Sequence, residues 1–411
     1  MKLSLVYQHV DPSRGGAETY VVDLARRLIS EGHQVDLLAE TWDARAVPAE
    51  VRCRAVPTSG ATRAGRIWSF ARNVEEIQSQ RDFDCSVGFI NTWGQDILIP
   101  QGGVKPASVD ANAERFPEGW RRSLYRLGKR LSPKAAGLYR LIEARQYDLS
   151  RPTRFVAVSE MVREHLRHYK GVPDKRISVI YNAIDAGRLS TFEPETLRHE
   201  FRSRHGFTDS DIVALFVGHN FRLKGLPALL KALRLRLDRQ PGARTVHVAV
   251  CGGGKLAPMR RLVERAGLQD SVHLIGFEPD IRAGYFGSDL FVLPTYYDPC
   301  SLVVFEALAS GLPVITTRKN GAGEVIRDGR EGYVVDHPDA TESLADALDR
   351  MCDDAARRAM SANARRLGLE QSFDRHVTRL LRLACEIVDE RTASRPHLRG
   401  VSMLVRSSGT D

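Results

Sequence analysis

Hydrophobic and polar positions along the chain follow two alternating patterns, short apolar runs and longer stretches with helical spacing. The apolar runs of the first half are LSLVYQHV, QVDLLAE, CSVGFI, RFVAVS and ISVIYN, and those of the second half are DIVALFVG, VHVAVCGGG, SVHLIGF, LFVLPT and PVITT. Between them, segments such as ETYVVDLARRLISEG repeat their apolar residues every three or four positions, which is typical of amphipathic helices. Strands that alternate with helices predict parallel sheets covered by helices on both faces.

The series of strands restarts near the middle of the chain. This predicts an α/β protein with two Rossmann-like, doubly wound domains that face each other across a cleft. We place the N-terminal domain at residues 1–186 and the C-terminal domain at residues 187–371. A helix over about 372–391 is expected to cross back to the first domain. The segment 392–411 has no clear period and is expected to be a mobile tail.

Composition narrows the class of protein. The chain has 411 residues, of which 43% are hydrophobic, and its six cysteines show no paired spacing. No apolar run is long enough to span a membrane, and neither a disulfide framework nor a zinc ribbon is predicted. Polar residues interrupt the first apolar run, so we interpret it as a strand and not as a signal peptide. We expect a cytoplasmic protein that uses no metal and no other cofactor.

Most of the net charge of +9 lies in one segment. Residues 115–154 hold eleven Arg and Lys against three acids, a local excess of +8. Within it, the stretch GWRRSLYRLGKRL predicts a helix with one apolar face, formed by Trp120, Leu124, Leu127 and Leu131. Basic residues cover much of the remaining surface, namely Arg121, Arg122, Arg126, Lys129 and Arg130. Such a helix suits an anionic membrane surface, while packing against its own domain is the alternative. No nucleic-acid reader motif is present.

Two loops that follow predicted strands have the composition of anion sites. In SRGGAETYVVDLA, Gly15 and Gly16 let the backbone approach a ligand at the start of a helix, although a plain turn would have the same sequence. In VGHNFRLKGL, Arg222 and Lys224 follow the first strand of the second half, where open α/β sheets bind ligands. Together they can neutralise a diphosphate, and a solvated pair is the alternative. The glycine fingerprint of nicotinamide enzymes is absent.

The stretch YYDPCSLVVFEALASG places one acid before a mostly apolar run and a second acid inside it. A helix that begins near the serine would leave three amides free for an anion, those of Ser301, Leu302 and Val303. Glu306 is costly to bury without a partner, and a ribose diol would offer it two hydroxyl donors. Asp298, at the mouth of the helix, could bind the hydroxyls of a sugar. The alternative is that Asp298 caps the helix and Glu306 pairs with an arginine.

Together these residues resemble the retaining glycosyltransferases of family four, two-domain enzymes with the so-called B-type fold. The resemblance covers most of the chain, in RGGAET, AVSEMVREHL, VIYNAID, FRLKG, VLPTYYDPCSLVVFEALASGLPVITT and NGAGEVIRDGREGYVV. The family is marked by two glutamates separated by seven residues, and this sequence keeps the second as Glu306 but has Asp298 at the first position. The overall plan, with a basic membrane-facing segment in the first domain, is similar to that of the lipopolysaccharide-core glucosyltransferases.

The resemblance implies transfer of a sugar from a nucleotide diphosphate sugar, with UDP favoured, by a retaining and metal-independent mechanism. The acceptor would be a lipid-linked or cell-envelope glycan at the inner face of the cytoplasmic membrane. In the family, the residues matching Arg222 and Lys224 hold the phosphates, while those matching Glu306 and Asp298 hold the ribose and the donor sugar. The matching glycine turn closes over the phosphates from the other domain. Many members carry a histidine in the loop that here reads LIPQGGVKPAS, and we place four of its residues near the acceptor, Gln101, Gly102, Gly103 and Lys105.

Two other functions stay open at this level. A sugar-nucleotide epimerase of the same two-domain plan would convert the donor sugar without any acceptor. A non-catalytic protein could retain the fold and bind an anionic partner with its basic surface. Replacement of Glu306 by alanine separates these functions, because it should abolish sugar transfer but leave purely electrostatic binding unchanged.

Overall fold

A computed structural model describes residues 1–80, 82–116, 118–131, 137–190 and 193–393, with the backbone alone at residues 130, 188 and 190. Strands and helices alternate along these residues as the sequence predicts. Up to residue 190 they are β1 (Lys2–Val6), β2 (His9–Val10), α1 (Gly16–Ser30), β3 (Gln34–Ala39), β4 (Thr41–Trp42), β5 (Arg52–Ala55), α2 (Arg63–Ser79), β6 (Cys85–Gly88), β7 (Ile97–Leu98), α3 (Lys105–Glu114), α4 (Trp120–Arg130), α5 (Leu138–Gln146), β8 (Arg154–Ala157), α6 (Glu160–Lys170), β9 (Ile177–Val179) and α7 (Gly187–Ser190).

From residue 193 onward the elements are α8 (Pro194–His205), β10 (Ile212–Val217), α9 (Leu226–Arg239), β11 (Val246–Cys251), α10 (Leu256–Arg265), β12 (Val272–Gly276), α11 (Ile281–Gly287), β13 (Leu290–Leu293), α12 (Leu302–Ala309), β14 (Val314–Thr317), β15 (Gly332–Val335), α13 (Thr341–Arg350), α14 (Asp354–Glu370) and α15 (Phe373–Ala393). Short 3₁₀ turns lie at Pro12–Arg14, Asp174–Arg176 and Gly321–Val325.

Two parallel sheets organise these elements. The first sheet has the strand order β5-β3-β1-β6-β7-β8-β9, and the second has the order β12-β11-β10-β13-β14-β15. Strand β10 reads as a continuous apolar run because side chains on both of its faces are covered, and five of its six residues are buried. In the second sheet the direction of winding reverses between β10 and β13. Ligands of doubly wound sheets bind at such a switch point, beyond the carboxyl ends of the strands.

The described residues form two compact units. The first comprises Met1–Ile99, Ile142–Phe155 and the described residues from His376 to Ala393, and the second comprises Pro100–Leu141 and Val156–Arg375. This division places Pro100–Leu141 with the second sheet, whereas the sequence suggested one continuous domain over 1–186. The domain boundaries drawn from the sequence stay predictions.

The core of the first unit forms between its sheet and helices. Val6, Leu38, Val56, Phe70 and Val74 make one fully buried apolar cluster. The C-terminal helix α15 also belongs to this unit from His376 onward, and the Tyr20 hydroxyl and the His376 ring meet in a buried hydrogen bond of 2.5 Å. Helix α15 extends to Ala393, and the rest of the predicted tail, 394–411, lies outside the described residues.

Candidate functional site

The loops after β10 and β13 meet at the switch point of the second sheet. Gly225 has a φ of +84°, and a Cβ atom at this position would lie 1.8 Å from the carbonyl oxygen of Pro294. Only glycine permits this approach. The amide of Tyr296 donates a hydrogen bond of 2.9 Å to the carbonyl of Leu223. These contacts fix the turn that carries Lys224 against the segment that carries Asp298.

Lys224 and Asp298 are in direct contact. The ammonium of Lys224 donates to Oδ2 of Asp298, whose residue is only 7% exposed. The backbone of Asp298 is also held, because its amide donates to the carbonyl of Lys319 at 3.0 Å and its carbonyl accepts from Gly321 at 2.9 Å. The structure therefore brings together the predicted phosphate-binding cation and the predicted sugar-binding acid.

Helix α12 begins at Leu302 with Ser301 as its N-cap, close to the start that the sequence predicts. The prediction that the Ser301 amide is free is wrong, because this amide donates to Oδ1 of the buried Asn320 at 3.4 Å. Within the described residues the amides of Leu302 and Val303 donate to no acceptor. Two of the three predicted amides therefore stay open to an anion at the helix N-terminus.

Glu306 lies half-buried in the second turn of α12, and a tyrosine orients it. The hydroxyl of Tyr285 donates to Oε2 of Glu306 at 2.6 Å. Burial, together with the charge of Glu306, raises the pKa of Tyr285 well above its usual value, so that the tyrosine keeps its proton. The charge of Glu306 is thus stabilised by a neutral hydroxyl donor.

The loop predicted to face the acceptor packs against the residues next to Asp298. Gly103 has a φ of +71°, and a Cβ there would lie 2.2 Å from the Tyr297 hydroxyl and 2.8 Å from Cγ of Pro299. The Val104 amide also donates to the Tyr297 hydroxyl at 3.2 Å. In this loop Nε2 of Gln101 is buried and has no hydrogen-bond partner among the described residues. An unpartnered buried donor is costly in isolation, so Gln101 suits a ligand oxygen.

Two other residues of this loop have different surroundings. Gly102 is exposed, and no heavy atom lies within 4 Å of the position that a Cβ would take there. Lys105 is exposed, and its Nζ lies 5.9 Å from the ring centroid of Tyr139. The acceptor-side role of both residues stays a prediction.

Within the described residues of the second unit, the side chain of Arg222 forms no hydrogen bond or ion pair with Lys224. The exposed Arg222 lines a cavity of about 280 Å³ whose walls include neither Lys224 nor Asp298. Gly15 and Gly16 lie in the first unit, where they begin α1 as the sequence predicts. The phosphate-binding roles of these three residues stay predictions.

Sequence reasoning missed the residues that hold the predicted ones in place. Tyr285 lies in α11 and Asn320 precedes a 3₁₀ turn, and neither was singled out. Asn320 is fully buried, and its side chain joins Ser301, Thr316 and Ala322. The stretch NGAGEVIRDGREGYVV had marked this loop only through its resemblance. Pattern alone does not show a partner so distant in sequence.

Comparison with known proteins identifies the family. Residues 14–188 match the profile described as Glycosyltransferase Family 4, and residues 198–367 match the profile described as Glycosyl transferases group 1. This chain is a glycosyltransferase of the family-four type. The epimerase and the non-catalytic protein are therefore the less favoured of the functions considered.

Individual relatives of this glycosyltransferase span nearly its whole length. The lipopolysaccharide glucosyltransferase WaaG of Escherichia coli K12 is 25% identical over 353 residues, which cover 85% of this chain and 90% of that protein. A D-inositol 3-phosphate glycosyltransferase of Corynebacterium aurimucosum is 26% identical over 402 residues, with 89% and 90% covered. The match to WaaG confirms the predicted resemblance to lipopolysaccharide-core glucosyltransferases.

Solved structures confirm the fold of the glycosyltransferase. The crystal structure of WaaG has a TM-score of 0.73 at 22% identity and covers 94% of this chain and 98% of that one. The structure of Anabaena Alr3699/HepE in complex with UDP and glucose has a TM-score of 0.65 at 18% identity, with 96% and 100% covered. The α/β fold with two Rossmann-like domains, the B-type glycosyltransferase fold, is as predicted.

Proposed function

We propose that this glycosyltransferase moves a sugar from a UDP-sugar to a lipid-linked or cell-envelope glycan acceptor, with retention of configuration and without a metal ion. The observation that carries the proposal is the contact of Lys224 with Asp298 beside the open end of α12. A cation and two open amides next to carboxylates suit a diphosphate that is joined to a sugar.

The proposed reaction needs little beyond these groups. The bond between the anomeric carbon and the diphosphate oxygen breaks, and negative charge develops on the leaving diphosphate. The Lys224 ammonium and the amides of Leu302 and Val303 stabilise that charge. The acceptor hydroxyl attacks from the side that the diphosphate leaves and transfers its proton to the leaving phosphate oxygen. Configuration is then retained without a protein nucleophile or a separate base.

The ion pair of Lys224 and Asp298 prepares the site for the donor. Both charges are held in place before the donor binds, which lowers the cost of ordering them during binding. When the diphosphate arrives, Lys224 gains a second anionic partner, and an oxygen of Asp298 becomes available to the hydroxyls of the donor sugar. Glu306, oriented by Tyr285, accepts the two hydroxyls of the ribose. Arg222, Gly15 and Gly16 are proposed to assist at the phosphates.

The choice of UDP has support from a structural neighbour. The structure of Anabaena HepE in complex with UDP and glucose has the same fold at 18% identity, and a donor of the same class would suit this chain. An exposed aromatic ring, that of Phe277, follows β12 at the carboxyl edge of the second sheet and is 73% exposed. Such a ring could stack on a nucleobase.

A membrane surface is the proposed location of the acceptor. The apolar face predicted on α4 is uncovered within the described residues, since Trp120 is 70%, Leu124 58%, Leu127 52% and Leu131 72% exposed. Basic residues flank this face, as an interfacial helix requires; they include Arg121 and Lys129, whereas the side chain of Arg130 lies outside the described part. Packing of this face on its own domain is therefore the less favoured alternative.

Two of the basic residues of α4 are already engaged on the protein. Arg126 pairs with Asp110 at 3.3 Å, and Arg122 donates to the carbonyl of Phe116 at 3.1 Å. No helix among the described residues is long and apolar enough to cross a bilayer. We propose that the protein binds the inner face of the cytoplasmic membrane peripherally through α4. The lipopolysaccharide named for WaaG is an acceptor of the class expected there.

The donor site is tested by thermal shift and hydrolysis with UDP-, GDP- and ADP-sugars. Wild type is compared with Glu306→Ala and with Glu200→Ala, which removes a carboxylate exposed on α8. We expect UDP-sugars, and no other nucleotide sugars, to stabilise the wild type and Glu200→Ala. This stabilisation should be lost in Glu306→Ala. No response of the wild type to any nucleotide sugar would refute the donor site. Formation of an epimeric nucleotide sugar in the absence of an acceptor would instead indicate an epimerase.

A further inference from the structure

A second basic cavity lies in the same unit as the donor site. Its volume is about 280 Å³, and four cationic side chains line it: Arg115, Arg122, Arg222 and Lys231. Two acids, Glu114 and Asp339, also line it. None of the three residues Lys224, Asp298 and Glu306 lines the cavity. Arg222 is the one residue of the cavity that is also proposed to assist at the donor phosphates, and the other three cations belong to the cavity alone.

The acids of the cavity already have partners. Glu114 pairs with Lys319 at 3.1 Å and with His337 at 3.0 Å. Burial tends to raise the pKa of Glu114, but the hydrogen bonds from His337 and Lys319 outweigh it and lower this pKa, so Glu114 stays ionised and paired. Asp339 accepts a hydrogen bond of 2.6 Å from the hydroxyl of Tyr296. Lys319 therefore offsets the charge of Glu114, while Asp339 keeps its charge and is held by the tyrosine.

Most of the cations, in contrast, lack an anionic partner. Within the described residues Arg115, Arg222 and Lys231 form no ion pair. Arg115 donates to the carbonyl of Asn112 at 3.0 Å, which fixes its position without neutralising its charge. Arg122 is held by the carbonyl of Phe116 and reaches Glu118 at 3.3 Å. The cavity thus has a surplus of positive charge on side chains that are partly pre-oriented.

Two helices also begin at the wall of this cavity. Pro227 and Ala228 belong to the first turn of α9, and Thr341 is the first residue of α13. The first turn of a helix carries a partial positive charge and favours an anion. Neither N-terminus has a side-chain cap. The helix ends therefore add to the field of the four cations.

We propose that this cavity binds the phosphate group of a small phosphorylated ligand. Arginine guanidiniums bind phosphate oxygens with paired hydrogen bonds, and lysine adds a point charge. The volume is near the lower end of the range for ligand pockets, which suits a phosphate with a sugar or glycerol attached. Soluble sugar phosphates and the headgroups of phosphate-bearing lipids share this chemistry.

Calorimetric titration with inorganic phosphate and with glucose 6-phosphate at constant ionic strength tests the site. The variants are Arg115→Ala/Lys231→Ala, which removes two unpaired cations, Lys224→Ala, which alters the donor site, and Arg358→Ala, which removes an exposed charge from α14. Saturable binding is expected in wild type, Lys224→Ala and Arg358→Ala. The double variant should bind about 100-fold more weakly, about tenfold for each charge removed, and each tenfold step corresponds to about 1.4 kcal/mol.

The outcomes separate the cavity from other anion sites and the soluble ligand from a lipid. Equal binding of both the soluble phosphates and the vesicles by the double variant and the wild type would overturn the proposal, as would loss of binding in Lys224→Ala alone. A second experiment measures how much protein co-sediments with vesicles that contain phosphatidic acid. Vesicles of phosphatidylcholine serve as the comparison. If the double variant loses only vesicle binding, the phosphate belongs to a lipid headgroup. If it loses only the soluble ligands, the phosphate belongs to a soluble one. If it loses neither, the cavity does not bind phosphate.

Discussion

The hydroxyl of Tyr285 donates a hydrogen bond of 2.6 Å to Oε2 of Glu306, although 21 residues separate the two. Tyr285 lies at the end of α11 and is only 1% exposed. Its raised pKa, caused by burial and by the charge of Glu306, keeps it protonated, so it always acts as the donor. The carboxylate proposed to bind the ribose is therefore oriented by a buried neutral group.

Tyr285→Phe should weaken use of the donor without unfolding the protein. A hydrogen bond to a charged group contributes about 1.5–3 kcal/mol, so kcat/KM for the nucleotide sugar should fall about 10- to 100-fold. Steady-state transfer assays measure this change. Tyr333→Phe is the control, because Tyr333 is 9% exposed in the same unit and its ring faces Arg350. A loss of equal size in both variants would contradict a specific role of Tyr285.

Lys224→Ala should reduce stability because it leaves Asp298, which is 7% exposed, without its cation. An unpaired buried charge or acceptor costs about 1–3 kcal/mol. Lys224→Ala/Asp298→Asn should recover part of this loss, since no charge then stays unpaired. Urea unfolding of Lys224→Ala, of Asp298→Asn and of the double variant gives the coupling free energy between the two side chains. Strictly additive losses would show that the two side chains do not interact in solution.

Gly225→Ala should be strongly destabilising, since a Cβ would lie 1.8 Å from the Pro294 carbonyl at a φ of +84°. Gly206→Ala is the matched control, because Gly206 has a φ of +75° with no atom within 4 Å. The left-handed conformation alone costs about 1–2 kcal/mol, and the steric conflict adds about 1–3 kcal/mol more. Chemical unfolding of the two variants separates these effects. Equal losses would mean that the loop relaxes freely.

Leu127→Glu should weaken membrane binding through α4. Leu127 is 52% exposed on the apolar face, whereas Leu369, at 43% exposed on α14, serves as the control in Leu369→Glu. Burial of a leucine contributes about 1.5–3 kcal/mol, so partition into phosphatidylglycerol vesicles should fall at least about tenfold in the first variant only. Binding of the wild type should also decrease with salt. Equal partition of wild type and Leu127→Glu would refute the membrane role.

Acidification should destabilise the second unit through its histidines. Burial, and then the neighbouring His247 and His205, lower the pKa of His273 below its usual value. The unfolded chain therefore takes up this proton at a higher pH than the folded chain, and stability falls as the pH drops below about 6.5. His273→Gln should make the decline between pH 7 and pH 5 shallower in urea unfolding. An identical decline would exclude His273 as a contributor.

Local sequence patterns were sufficient for the elements and for the loops that carry the candidate site. The apolar runs DIVALFVG and LFVLPT are β10 and β13, because strands buried on both faces must be apolar throughout. The carboxyl ends of neighbouring parallel strands share one edge, so the loops with Lys224 and Asp298 lie at the same edge of the second sheet. The apolar face of α4 likewise follows from the spacing of Trp120, Leu124 and Leu127, but its exposure is known only from the structure.

The sequence by itself thus determined the order of strands and helices, the family and the loops that carry the candidate chemistry, since these depend on periodicity and on near neighbours. Only the tertiary structure decided which side chains meet. It paired Lys224 with Asp298, gave Glu306 a tyrosine donor, engaged the Ser301 amide with Asn320 and placed Arg222 in a separate basic cavity. Contacts between loops distant in sequence depend on how the elements pack, which no local pattern encodes.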